Sequence, residues 1–290
     1  MDSMRIDAHQ HFWRLSRGDY RWLNGDDAAL APLRRDFVPA DLQPALAAAG
    51  ITHTVLVQAA DATAETEFML ELSAAHDFIA GVVGWVDMGR ADAVATLEQW
   101  ARHAAFKGVR PMLQDLARPD WIEQAPHPAV LQALLRLNLR FDALVLPQHL
   151  QPLLRFVRAW PELPVVIDHA AKPPLADGFR SPAYVAWRRD LAALAALPGV
   201  HCKVSGLLTL LPQRGLSSAE AVVQLRPLWN DLLELFGPAR LMWGSDWPVL
   251  TLAADYPDWV HVSEALFDTL SPVERARLWG GTAARFYGMA

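Results

Sequence analysis

Eight short runs of mostly apolar residues constrain this chain most, because each is followed by turn residues and then by apolar residues at helical spacing. The runs fall at residues 5–8, 53–58, 80–86, 106–109, 139–145, 164–168, 200–204 and 241–243. Strands that alternate with helices predict a parallel sheet, and eight is the number that closes a barrel. One of the helices is especially clear: Leu225, Leu228, Trp229, Leu232, Leu233 and Phe236 form a single stripe that stops at Gly237-Pro238. Ser271-Pro272-Val273-Glu274 reads as a capping box with proline in the first helical turn, and Gly280-Gly281-Thr282 breaks the helix that follows. An open doubly wound sheet allows similar alternation, but no Gly-x-Gly-x-x-Gly opens the first unit. No linker, low-complexity tract or fixed-period repeat divides the chain. The sequence predicts an α/β fold, a (β/α)8 TIM barrel, as one domain over residues 1–290.

Composition narrows the partners. With 26 Lys+Arg against 32 Asp+Glu the net charge is −6, no footprint for a nucleic-acid backbone. Hydrophobic residues at 52% and charged ones at 20% give a chain that can bury a large core and exclude disorder. The uncharged stretch 42–60 is interrupted by Gln43, Pro44, Gly50, Thr52, His53, Thr54 and Gln58, short of the ~20 apolar residues a membrane span needs. The N-terminus has no apolar stretch of signal-peptide length, and the single cysteine, Cys202, has no internal partner. A cytoplasmic enzyme with a small-molecule substrate is expected, with neither nucleic acid nor membrane as partner. Oligomeric state is not legible.

In a parallel barrel the C-terminal ends of the strands share one mouth, which is where chemistry collects. Those ends are strongly polar here: His9 and His11, Gln58, Trp85 and Asp87, Arg110, Asp142, Asp168-His169, Lys203 and Ser205, and Ser245-Asp246-Trp247. His9 and His11, two apart on an extended strand, face one side and can reach one metal ion or one substrate oxygen. The alternative is a pair of ordinary strand-end histidines. Asp246, set between Trp243 and Trp247, is partly desolvated, which is expected to raise its pKa and make it a base toward water; the alternative is the cap of a turn. Arg110, Lys203 and Ser205 are donors for substrate oxygens, or partners of Asp142 and Asp87 in structural pairs. Neither Ser205 nor Ser245 lies in a Gly-x-Ser-x-Gly turn, so neither reads as a nucleophile. Among 12 tryptophans, Trp13, Trp22, Trp85 and Trp247 fall near the mouth, where aromatic faces pack sugar rings. Trp100, Trp187, Trp229 and Trp279 lie on helical patterns and read as core.

Taken in order, seven stretches resemble the amidohydrolase superfamily, in its amidohydrolase-2 branch of sugar-lactone hydrolases of the L-fuconolactonase and L-rhamnonolactonase kind. They are Ile6-Asp7-Ala8-His9-Gln10-His11-Phe12-Trp13, Val57-Gln58-Ala59, Val83-Gly84-Trp85-Val86-Asp87, Lys107-Gly108-Val109-Arg110, Val166-Ile167-Asp168-His169-Ala170-Ala171-Lys172-Pro173, Cys202-Lys203-Val204-Ser205-Gly206-Leu207 and Met242-Trp243-Gly244-Ser245-Asp246-Trp247-Pro248. The likeness runs from Arg5 to Tyr287 and implies a (β/α)8 barrel. It places the branch's His-x-His on His9 and His11, its sixth-strand histidine on His169 and its eighth-strand aspartate on Asp246. Binuclear members carry a bridging Lys or Glu after strand four and a histidine after strand five. Arg110 and Asp142 stand there instead, so the expectation is at most one divalent ion, zinc, on His9, His11, His169 and Asp246, and not a strict need for it.

The resemblance implies opening of a sugar lactone to its acid. Asp246 takes a proton from the attacking water, His9, His11 and His169 polarise the carbonyl, and the ring oxygen leaves with that proton. Gln58, Trp85, Arg110, Lys203, Ser205 and Trp247 are then the expected substrate contacts. The rival readings are a metal-dependent amidohydrolase or a non-oxidative decarboxylase of the same branch, and a barrel that binds a sugar acid without turning it over.

Overall fold

The computed structural model describes residues 4–289. Eight parallel strands follow one another in chain order around a single sheet: β1 (Ile6–Gln10), β2 (His53–Val57), β3 (Ile79–Gly84), β4 (Phe106–Val109), β5 (Arg140–Ala143), β6 (Val165–Ile167), β7 (Val200–Val204) and β8 (Leu241–Trp243). The seam between β1 and β8 is joined at the C-terminal mouth. There the backbone N–H of His11 donates to the Trp247 carbonyl at 2.7 Å, and that of Asp246 to the His9 carbonyl at 2.8 Å. The fold is the (β/α)8 barrel that the alternation predicts.

Three strands have the bounds read from the sequence, β4, β7 and β8. The others shift by one or two residues at one or both ends, with β1 running on to Gln10 past the predicted run and β5 and β6 shorter than theirs.

Side chains facing inward fill the barrel, so it is a packed core and not a pore. Ile6, Ala8, Val55, Val57, Val83, Val166 and Met242 form the inner cluster, and Phe286, Tyr287 and Met289 close it from the N-terminal end. Those three come from the short helix Thr282–Tyr287 and its exit, downstream of the break at Gly280. Gly280 lies against the Met4 carbonyl, where a Cβ would come within 2.1 Å of that oxygen. The outer helices bury one face each. On Ser218–Phe236 the residues Leu225, Leu228, Trp229, Leu232 and Phe236 are buried, and Ser217 with Glu220 caps its start. Trp100, Trp187 and Trp229 belong to this outer core, as their helical spacing predicts.

Candidate active site

The site is built from strand ends that one buried carboxylate ties together. β1 carries an extra residue between Asp7 and Gln10 relative to β2, a bulge of the kind that re-aims side chains at barrel rims. Asp7 accepts the backbone N–H of His9 at 3.1 Å and of Ser245 at 2.8 Å, and the Tyr256 hydroxyl at 3.0 Å. The strand with the histidine pair is thereby fixed to the turn with Asp246. Burial pushes the Asp7 carboxyl up to about 6, against the hydrogen bonds it accepts.

Ring nitrogens are oriented by what each imidazole meets on its other side. His11 Nδ1 donates to the Val57 carbonyl at 2.7 Å, because a carbonyl only accepts. That Nε2 stands 3.2 Å from His9 Nε2 and 3.3 Å from Asp246 Oδ1. His9 Nδ1 faces the Asp168 carboxylate at 3.3 Å, and its Nε2 lies 3.7 Å from Asp246 Oδ1. His169 completes the group, with Nδ1 on the Ser205 hydroxyl at 2.9 Å and Nε2 3.8 Å from Asp246 Oδ1. Burial lowers the His169 imidazole to about 4 and His9 well below its ordinary value, so both are neutral near pH 7. Burial alone would raise Asp246, as its place between tryptophans predicts, but its contacts with His169, His11 and His9 favour the ionised form and hold the carboxyl well below its usual range, so the expected rise does not occur.

Three imidazole nitrogens and a carboxylate oxygen are a zinc donor set. With bonds of ~2.0–2.1 Å, neighbouring donors around a tetrahedral ion stand roughly 3.3–3.4 Å apart. His9 Nε2 and His11 Nε2 at 3.2 Å, and His11 Nε2 and Asp246 Oδ1 at 3.3 Å, are of that size, so His9, His11 and Asp246 group closely enough to share an ion, while His169 groups instead with His9 and Asp168. The residues fit one divalent cation.

Beneath this group lies a buried charge network. Lys203 Nζ donates to Asp142 Oδ2 at 2.6 Å and sits 3.0 Å from Asp168 Oδ1, while the Tyr287 hydroxyl donates to Asp142 at 2.7 Å. The Arg110 guanidinium meets Asp168 Oδ2 at 3.2 Å and donates to the Gln58 carbonyl. Burial opposes ionisation of Asp168, but the Lys203 ammonium and its other partners prevail and hold it well below the usual carboxylate range. Cations therefore already occupy the surroundings of Asp168 and Asp142, the region that a second ion would need.

A cavity of about 290 Å³ opens over the group, at the lower end of ligand-sized clefts. His11, His169, Asp246 and Arg110 line it directly. Of the other residues expected at the substrate, Lys203, Ser205 and Gln58 are fully buried; Lys203 and Ser205 are spent on Asp142 and His169, and Gln58 donates its amide N–H to the Arg110 carbonyl while its Oε1 is left without a partner. Trp247 packs edge-on against Phe12 and Phe37, and Trp85 lies outside the lining. The wall instead draws on Trp22, Leu30, Met112, Gln114, Asp115 and Lys172, from segments beyond the strand ends. Among them Trp22 carried a sequence signal in its nearness to the mouth, and Lys172 only as part of the matching stretch after β6.

Comparison with known proteins gives one consistent answer. The amidohydrolase family model matches residues 6–289. The chain is 45% identical to an L-fucono-1,5-lactonase of Burkholderia ambifaria, over 98% of this chain and 96% of that protein. It is 38% identical to an L-fucono-1,5-lactonase of Burkholderia multivorans, over 100% of this chain and 97% of that one. A crystal structure of an amidohydrolase from Burkholderia multivorans with bound zinc superposes with a TM-score of 0.90 at 37% identity, covering 99% of this chain and 100% of that one.

Proposed function

The chain belongs to the amidohydrolase family, and on that premise we propose that it is a lactonase that opens a sugar lactone to the sugar acid. The observation that carries this reading is that His11, His169 and Asp246 line a small cavity, with His9 buried behind them, in a chain so similar to L-fucono-1,5-lactonases. A lactone suits such a site. Its carbonyl is more electrophilic than that of an amide, and an alkoxide leaves more readily than an amide nitrogen.

Asp246 is the base in this reading. Its carboxylate is held ionised, and it takes a proton from water as the water oxygen bonds to the lactone carbonyl carbon. The ring C–O bond then breaks, and the departing ring oxygen takes that proton back. His169, with Nδ1 on the Ser205 hydroxyl, turns Nε2 to the cavity as a donor for charge that develops on the carbonyl oxygen, while His11 lines the wall beside it and the buried His9 backs both. Arg110, 3.4 Å from His9 Nε2 at NH1, adds fixed positive charge at the cavity wall. A zinc ion bound by His9, His11, His169 and Asp246 would supply a Lewis acid at this position. Support for it is the spacing of the donors and the zinc in the similar crystal structure.

We place the enzyme in cytoplasmic carbohydrate breakdown. A single, buried cysteine supports a reducing compartment, and no helix among the described residues is long and apolar enough to cross a membrane.

The test is a pH-indicator screen against aldonolactones, including L-fucono-, D-arabinono- and L-rhamnono-lactones. Acid release above background from at least one is expected. If none is opened while an amide or an aromatic acid is processed, the reading fails.

A further inference from the structure

One part of the cavity wall is polar without belonging to the reacting group. Lys172 and Gln114 meet there, Lys172 Nζ donating to Gln114 Oε1 at 2.6 Å. That is the one hydrogen bond of this ammonium among the described residues, although an ammonium carries three donors. Half-buried, with two N–H groups unused, it needs acceptors that the cavity must bring. Gln114 is fixed by the same bond: its oxygen is taken by a group that only donates, so its NH2 is left to donate. Asp115 follows at the rim and adds an acceptor. Donors and acceptors side by side match hydroxyl groups, which do both.

The backbone is bent to put Lys172 there. His169, Ala170, Ala171 and Lys172 all have positive φ, of 51°, 51°, 56° and 49°. Left-handed conformations are costly for non-glycine residues, and strain of that kind persists where function holds it. In a turn of three residues the first and fourth side chains fall on one side, and His169 and Lys172 do both line the cavity. The turn that presents His169 to Asp246 therefore presents Lys172 to whatever His169 serves. Nearby, the Trp22 indole N–H is already given to the Ala59 carbonyl at 2.8 Å, so the cavity receives only apolar ring surface from it. Polar on one part and aromatic on another, the lining fits a ring with hydroxyls and C–H surface.

We propose that Lys172 and Gln114 bind the ring hydroxyls of the substrate and so select a polyhydroxylated lactone over an unsubstituted one. This rests on the lactonase reading of the same site. The test compares kcat/KM for a polyhydroxylated six-membered lactone with that for δ-valerolactone, in wild type and in Lys172→Met, Lys172→Arg and Gln114→Leu. Loss of a hydrogen bond from a charged donor is worth roughly tenfold to a hundredfold. Lys172→Met should lower the ratio of the two kcat/KM values by about that factor, mainly through KM. Lys172→Arg should recover part of it, and Gln114→Leu should lower the ratio by less. Gln114→Leu also decides the matter if Lys172→Met does not fold. A ratio that stays at the wild-type value, or equal loss of kcat on both substrates, overturns the assignment while an active wild type leaves the lactonase reading standing. A wild type that opens no lactone overturns both.

Discussion

Asp246 meets His9 twice. Its backbone N–H donates to the His9 carbonyl at 2.8 Å, and its Oδ1 stands 3.7 Å from the His9 Nε2. The contact that joins the barrel seam therefore also sets how far the carboxylate lies from the imidazoles. Asp7 reinforces it from behind by accepting the N–H of both His9 and Ser245. Catalytic spacing here is a property of the seam, and not of flexible loops.

Replacement of Asp246 separates base from turn residue. Its φ of 60° is in the left-handed region that asparagine tolerates well, so Asp246→Asn should keep the fold. General-base catalysis contributes ~10²–10⁴-fold, and kcat should fall by that order with an unchanged thermal melt. Retained kcat, or activity lost only together with stability, removes Asp246 from the mechanism.

Metal content should be zero or one divalent ion per chain. His9, His11 and Asp246 converge closely enough for one ion, whereas Asp142 and Asp168 are already engaged by Lys203 and Arg110. Elemental analysis of protein purified without added metal, then after zinc loading and dialysis, measures this. Two stoichiometric ions would contradict the role given to those cations.

The barrel was legible because apolar runs and helical stripes are local patterns, and the His9, His11, His169 and Asp246 group because strand ends in a barrel converge. Arg110 was legible as a lining residue for the same reason. Lys203 and Ser205 show the limit. Both follow the strand-end rule, yet both are fully buried below the cavity, since a strand end does not reveal at which layer its side chain stops. Lys172 shows the opposite failure. Only the left-handed turn brings it to the wall, and no residue type in Ala170-Ala171-Lys172 signals positive φ. Trp22 and Leu30 arrive from the long connection after β1, whose path depends on tertiary packing.

Lys203 should prove structural. Its ammonium lies between Asp142 and Asp168 with no exposed surface. Lys203→Met leaves buried Asp142 without its cation and Asp168 with Arg110 alone, and breaking a buried pair from one side costs about 3–5 kcal/mol. At roughly 2–3 °C per kcal/mol for a chain of this size, the melt should drop by about 6–15 °C. A melt at the wild-type value would show that the pairing is not what holds this layer together.

Stability should fall as pH rises from 6.5 to 8, through Glu65. This buried carboxyl accepts the backbone N–H of Ala59 at 3.0 and 3.1 Å and of Ala60 at 2.9 Å, and so holds the loop by which Ala59 reaches the cavity. Burial raises it from 4.5 to about 8, against those hydrogen bonds and the pull of Arg110. The folded chain thus binds this proton more tightly than the unfolded one, and the difference is stabilising at low pH and lost as pH climbs to about 8. His169 runs the other way, with an imidazole lowered from 6.5 to about 4, so its contribution is lost as pH falls below 6.5. Asp7, raised to about 6, has lost its effect by the same point. Between pH 6.5 and 8 Glu65 therefore acts with the least interference from either. Glu65→Gln mimics the protonated carboxyl, with one acceptor and one donor end, and should flatten the melting curve over that interval. Parallel wild-type and Glu65→Gln profiles of melting temperature against pH would assign the slope to another group.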